Sequence, residues 1–230
     1  MVTGAGVERP GPQAEPALGL GANVLDWPYS NDRGDMARKS AEVRREEILA
    51  ATVEEIEATG LRTLRVADVA DRLGLSASLV IYHFATKEAL VAAAFDHAGR
   101  SDLEHARELA AGSGSARQRL RAVIGWYMPA GSTRSWKIWI DGWSAGLFDD
   151  DLKATFSALD QEWKTVLADL IVEDLEAGEA TVRSAEAGAC ATRILAYLDG
   201  LAVQLLFNPE TVGPEQLAAW VDDFLTNELG

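Results

Sequence analysis

The sequence predicts an all-α protein of about nine helices, divided between a small N-terminal three-helix domain and a larger helical domain. Three observations carry that prediction. Apolar residues recur at i, i+3 and i+4 along most of the 230 residues, and no stretch alternates apolar and polar residues as a half-buried strand does. Ala, Leu and Glu, all strong helix formers, fill the segments between breaks made by Gly, Pro and Ser. Within residues 64–84, two short apolar-periodic segments meet at Gly74-Leu75-Ser76, the pattern of two helices joined by a tight turn. A hydrophobic content of 48% is enough to fill a sizeable core.

The elements follow in order. Residues 1–35 are rich in Gly, Pro and Ala, lack helical period and read as a disordered extension. A first helix is expected from Ala37 or Ser40 to Thr59, with Ile48, Leu49, Thr52, Val53 and Ile56 on its apolar side and Gly60 as its stop. The paired short helices, Leu64–Leu73 and Ser76–Phe84, complete a domain over residues 36–85. A second domain, residues 86–230, then holds a long helix from Lys87 to Ala111 and another from Ala116 to Met128, closed by Pro129. A helix capped by Ser132 or Thr133 runs to Leu147, and one from the Asp149-Asp150-Asp151 run reaches about Leu175. The last two cover Ser184–Phe207 and Glu215–Leu229, the latter behind Pro214. The three aspartates read as a helix start, where carboxylates are favoured, and not as a metal site. No unbroken run of 18 apolar residues suggests a membrane span, and no secretory signal is recognisable. Cys190 is the only cysteine, so no intrachain disulfide is possible and a reducing cytoplasm is expected.

Residues 60–90, GLRTLRVADVADRLGLSASLVIYHFATKEAL, carry the clearest functional signal. A helix-turn-helix places its second helix in the DNA major groove. Beyond that spacing, D-V-A-x-x-L-G-L-S-x-S-x-x-x-x-H-F-x-x-K-E-x-L resembles the N-terminal domain of TetR-type transcriptional regulators. The resemblance implies that Ala77, Ser78, Ile81 and Tyr82 face the groove. Ser76 would cap the recognition helix and donate to a phosphate, and Lys87 would clamp another. Thr63 and Arg65 would lie near the DNA backbone, with Arg38, Lys39, Arg44 and Arg45 as a basic arm. His83 matches the family pattern and has two readings, a contact to DNA or a partly buried bridge between helices. The chain departs from the family at Ile81, where a Tyr is usual, and at Arg65, where a Ser or Thr cap is usual. The recognition helix also lacks the Arg, Asn and Gln that make bidentate base contacts. Discrimination between operators is therefore expected to rest on Ser78, Tyr82, thymine methyl groups and DNA shape.

The second domain resembles the C-terminal domain of choline- and betaine-regulator-like members, through W-x-x-G-L-F-D-D-x-L, W-K-x-x-L-x-x-L-I and A-x-L-D-G-L-A-V-Q-L-L. That resemblance implies a homodimer formed by the last two helices, with Ile194, Leu198, Leu201, Leu205, Trp220 and Phe224 available for the interface. The net charge is -15; residues 33–88 are nearly balanced, whereas residues 89–230 carry 11 basic and 22 acidic side chains. Trp136, Trp139 and Trp143, spaced +3 and +4, share one helix face, and Trp126 and Trp163 fall on neighbouring helices. Glu162 stands beside Trp163, and Tyr197 and Asp199 lie on a later helix. Aromatic faces near carboxylates hold cations, which suggests a cationic amine effector such as a polyamine or a choline-like compound. The same stripe also fits a plain helix core or a wall for a neutral aromatic ligand.

No metal-ligand cluster, phosphate loop or nucleophile motif stands in the sequence, so no cofactor, no metal and no enzymatic activity are expected. The reading is a ligand-responsive repressor that binds double-stranded operator DNA and is released by a small-molecule effector. In such a mechanism the effector moves the Lys87–Ala111 helix, with Gly99 and Ser101 as its bend, and alters the separation of recognition helices that must match half-sites about 34 Å apart. The alternative is a dimeric small-molecule- or partner-binding protein whose specific DNA binding has weakened.

Overall fold

The computed structural model describes residues 32–128, 134–181, 186–210 and 213–230; the side chains of residues 32–39, 134, 135 and 214 are not among those described. Among the described residues there are nine α-helices, one 3-10 turn and no strand. The expected extension falls largely outside them, over residues 1–31. Helix α1 spans Asp32–Thr59 and so begins before Ala37. A 3-10 turn at Leu61–Thr63 leads into α2, Val66–Leu73, and α3, Ala77–Phe84. The remaining helices are α4 Lys87–Ala110, α5 Ala116–Tyr127, α6 Arg134–Gly146, α7 Asp150–Glu176, α8 Ala187–Phe207 and α9 Pro214–Leu229.

Local chemistry sets these boundaries. Gly74 ends α2 in the left-handed region, φ 65°, which glycine adopts without a Cβ penalty. Ser76 and Thr86 then cap α3 and α4, accepting the amides of Leu79 and Ala89. Ser115 and Gln118 form a reciprocal capping box on α5. Asp149 accepts the Leu152 amide at 2.9 Å, with Asp150 and Asp151 in the first turn of α7, so the aspartate run is a helix start.

Two apolar clusters hold the molecule together, and α4 runs through both. The first joins Ile48, Leu64, Val69, Val80 and Phe84 to Leu90 and Phe95 of α4, and also takes in Ile138 of α6 and Leu152 of α7. The second joins Leu103 and Ala106 of α4 to Leu120 and Ile124 of α5, Leu167, Leu170 and Ile171 of α7, and Ile194 and Leu198 of α8. Each fully buried aliphatic side chain contributes about 1.5–3 kcal/mol. Trp139 packs against both clusters. The unit formed by α1–α3 thus also rests on α6 and does not hang from α4 alone.

Gly99, expected to help α4 bend, is buried where α4 crosses α7. A Cβ there would fall 2.4 Å from Leu159 Cδ1, so close approach of the two helices accounts for the glycine. Helix α8 is long and apolar enough to cross a bilayer by length and composition, though Arg193 and Asp199 interrupt its apolar run. Here Cys190, Ile194, Leu198 and Leu201 are buried in the domain core. That corrects the expected interface set: Ile194, Leu198 and Leu201 are used internally, whereas Phe207 is 73% and Trp220 37% exposed, with Leu205 and Phe224 partly buried.

Candidate functional site

The exposed side of α3 is short and nearly uncharged. Ser76, Ala77 and Ser78 are exposed at its start, and Tyr82, one turn on from Ser78, is 82% exposed. Ser76 Oγ lies 3.0 Å from Ser78 Oγ while also accepting the Leu79 amide, so the cap is held within a small hydroxyl network. Ile81, His83 and Lys87 are half-buried. Val80 and Phe84 turn inward and anchor the helix.

The basic residues divide. Arg45 lies 4.2 Å over the Phe84 ring and donates to the His83 carbonyl at 3.1 Å, so it latches α1 onto the end of α3. Arg44 pairs with Glu47 at 2.6 Å on the same helix. Arg65, at the N-cap position of α2, makes no capping bond; it grips Asp68 through two bonds of 2.9 and 3.0 Å. Thr63 donates back to the Thr59 carbonyl at 2.6 Å. Arg38 and Lys39 lie on α1, outside the residues whose side chains are described.

The larger domain encloses a cavity of about 590 Å³ between α4, α5, α6, α7 and α8, within the range of small-molecule sites. Trp126, Trp136, Trp139, Trp143 and Trp163 all line it, together with Asp199. Tyr127 sits at the centre of the aromatic wall, with ring centroids 4.8 Å from Trp163 and 5.3 Å from Trp136, both edge-on. Its hydroxyl donates to Asp199 at 2.7 Å. Phe156 closes the α7 side against Trp139, and Gly99 and Leu159 form part of the lining.

Two expected residues stand elsewhere. Glu162 faces α4, paired with Arg107 at 2.6 Å and Arg100 at 3.5 Å. Tyr197 stacks on Phe224 of α9 with centroids 4.1 Å apart. Helix periodicity explains both corrections. Successive residues are turned by about 100°, so Glu162 cannot share the direction of Trp163, nor Tyr197 that of Asp199, two residues on. The carboxylates the reading missed are Asp160, three residues before Trp163, and Asp102, three after Gly99. The i, i+3 spacing was their signal. Tyr127, Phe156 and Lys153 also line the cavity and were missed; they carry no pattern that separates a wall from a core.

Burial pushes the Asp102 carboxyl up to about 6, against the opposing influence of His105. Burial likewise pushes Asp199 up to about 6, aided by the charge of Asp160 and opposed by the Tyr127 hydrogen bond. The Tyr127 hydroxyl is held well above its ordinary value, first by burial and then by Asp199. Lys164 pairs with Asp160 at 2.6 Å from the adjoining turn of α7. The cavity therefore resists ionisation of Asp102 and Asp199, and a bound cation would relieve that resistance while meeting the negative faces of the rings.

Residues 48–94 match the model of the bacterial regulatory proteins of the tetR family, and residues 116–230 match that of the BetI-type transcriptional repressor C-terminal domain. The HTH-type transcriptional regulator BetI of Stenotrophomonas maltophilia is 29% identical over 130 residues, which are 55% of this chain and 66% of that protein. BetI of Burkholderia thailandensis is 34% identical over 116 residues, 49% of this chain and 59% of that protein. The chain thus spans about 59–66% of the length of these curated relatives, which carry the name of regulators and not of enzymes. A crystal structure from Saccharomonospora viridis, of a protein assigned as a transcriptional regulator and solved in complex with choline, superposes with a TM-score of 0.74. It is 21% identical and covers 82% of this chain and 98% of its own, a likeness of fold. With matched domains at both ends, the second spanning half of its length, the chain belongs to the TetR family of bacterial regulators and carries a BetI-type C-terminal domain.

Proposed function

We propose that the protein is a cytoplasmic, homodimeric transcriptional repressor, released from its operator by a cationic amine of the quaternary ammonium or polyamine class. The observation that carries this reading is the composition of one cavity: five tryptophans, Tyr127 and Phe156 around Asp102, Asp160 and Asp199. Rings offer a cation their negative faces at little desolvation cost, and partly buried carboxylates add direct charge. A neutral ligand could use the three acids only as hydrogen-bond acceptors, without the charge attraction a cation gains. The choline held by the Saccharomonospora viridis protein gives independent support to the class.

On the DNA side, Ser76, Ala77, Ser78, Ile81 and Tyr82 are assigned to the groove, with Lys87, Thr63, Arg65, Arg38, Lys39 and Arg44 along the phosphates. Dimerisation is assigned to α8 and α9, where Phe207 and Trp220 leave apolar surface uncovered. A thermal-shift titration tests the effector class, because a ligand that binds only the folded state raises Tm by mass action. The panel is choline, betaine, putrescine and spermidine, set against neutral aromatics. A saturable rise with a cation that survives moderate salt is expected. A rise confined to neutral compounds would show that the acids of the cavity do not select a cation and would refute the reading.

A further inference from the structure

Helix α6 has two working faces. Trp136, Trp139 and Trp143 turn into the cavity. Ile138, Asp141 and Ala145 follow one another at +3 and +4 on another side, and Ile138 and Ala145 belong to the cluster that holds α1 to α4 together. Asp141 is two residues from both Trp139 and Trp143, roughly 160° round the helix from each. Its Oδ2 accepts the backbone N–H of Leu61 at 2.5 Å, across 80 residues of sequence.

Leu61 is not an ordinary partner. It opens the 3-10 turn that connects α1 to the helix-turn-helix, directly after Gly60 at φ 85°, and the turn has no side-chain cap of its own. Leu64, which follows the turn, is 1% exposed and fixes the start of α2 in the core. The amide at the head of this turn is satisfied by the effector domain. A carboxylate on a backbone N–H is among the stronger hydrogen bonds a protein makes.

Motion of α6 is itself constrained on the cavity side. A Cβ on Gly142 would fall 2.6 Å from both Phe95 Cζ and Phe156 Cζ, so the helix sits in contact with α4 and α7 with no slack. Phe95, Trp139 and Phe156 touch one another, with centroids between 5.1 and 6.1 Å apart. Trp139 is therefore both a wall of the cavity and part of the contact that seats α6 on α4 and α7.

We infer that Asp141 is a positioning residue through which α6 passes the state of the cavity to the helix-turn-helix: its carboxylate grips the Leu61 amide, so a shift of α6 pulls the start of α2. This route reaches the start of α2 directly from α6, in addition to any movement of α4, against which α6 packs through Phe95. It rests on the reading of the cavity as the effector site. Asp141 does not line the cavity, so its loss is expected to uncouple the two domains without weakening the ligand.

The test is amide hydrogen exchange over residues 60–73 in the full-length protein, for wild type, Asp141→Ala and Asp141→Asn. Each is compared with and without choline as the probe, and with and without Trp143→Phe, which disturbs the α6 wall in the absence of any ligand. Choline binding is read separately from tryptophan fluorescence. In wild type, choline and Trp143→Phe are each expected to change exchange in residues 60–73 by roughly threefold or more. In Asp141→Ala that response is expected to vanish, with choline affinity unchanged and Leu61 itself exchanging about tenfold faster. Asp141→Asn, whose amide oxygen can still accept the Leu61 N–H, should keep the response. Asp141→Ala responding as wild type does, Asp141→Asn failing as Ala does, or no effect of Trp143→Phe in wild type would each overturn the proposal. Silence of the fluorescence to choline would count against the effector class alone, because the Trp143→Phe arm still decides the coupling.

Discussion

Replacing Gly142 by Ala sets two opposed effects against each other in one methyl group. Within a helix, Gly→Ala is favourable by about 0.8–1 kcal/mol, from backbone entropy. At Gly142 the added Cβ would meet Phe95 Cζ at 2.6 Å, Phe95 Cε1 at 2.7 Å and Phe156 Cζ at 2.6 Å. These are ring atoms, and Phe95 is 1% exposed, so its ring cannot swing out of the way as a flexible chain end would, whereas Phe156 is partly buried and borders the cavity. Overpacking of this kind costs about 1–3 kcal/mol for one side chain, and two rings meet the new carbon. The net expectation is a destabilisation of about 1–2 kcal/mol, or roughly 2–8 °C in Tm for a chain of this size. Gly125→Ala in α5 is the control: nothing lies within 4 Å of its Cβ position, so the helix gain should appear alone and stabilise the protein. The assay is urea unfolding followed by circular dichroism, with both variants beside wild type. Gly142→Ala at or above wild-type stability, with Gly125→Ala stabilising as expected, would refute the packing of α6 against Phe95 and Phe156.

Two further expectations concern charge. Asp102 and Asp199 both titrate near 6, above the ordinary range near 4. Between these values the native state binds more protons than the unfolded chain. The two groups therefore stabilise the folded protein as pH falls through 6, and that contribution is lost as pH rises. Cation affinity should run the other way, falling about fourfold from pH 7.5 to 5.5 for each of these carboxyls that must be ionised; fluorescence titration with choline at the two pH values checks the sign, and an affinity that rises in acid would refute it. Arg117 pairs at 2.7 Å with Asp174, which is fully buried and whose other oxygen has no hydrogen-bond partner among the described residues. Arg117→Met should therefore cost about 3–5 kcal/mol in urea unfolding, since it strands a buried carboxylate; a loss below about 1 kcal/mol would show that the pair is not what holds α5 to α7 there.

Much of this was legible from local pattern. The ends of α2, α3, α5 and α7 fall within a residue or two of where Gly74, Ser76, Ser115 and Asp149 put them, because caps act on the nearest turn. The tryptophans of α6 could be assigned to one face from spacing alone, and all three line the cavity. The acids were harder. Composition pointed to carboxylates beside the rings, but proximity in sequence selected Glu162 and Tyr197, which point away. Asp160 and Asp102 share a face with Trp163 and Gly99 by i, i+3 spacing, a signal present in the sequence but not distinguishable from an ordinary solvated turn.

By itself, the sequence determined the helices, their caps, the helix-turn-helix and the family, since each is fixed by residues a few positions apart. Tertiary structure alone decided which faces meet. A pattern of apolar and aromatic residues states that a face is covered, not by what. Only packing of five helices could show that the aromatic stripe surrounds a cavity instead of filling it. Likewise, nothing near Asp141 in sequence announces that its carboxylate closes on the amide of Leu61, 80 residues away. Arg45 reads as a free basic arm until the fold brings Phe84 beneath it. Contacts between distant segments depend on the summed packing of whole helices, and no local window contains that information.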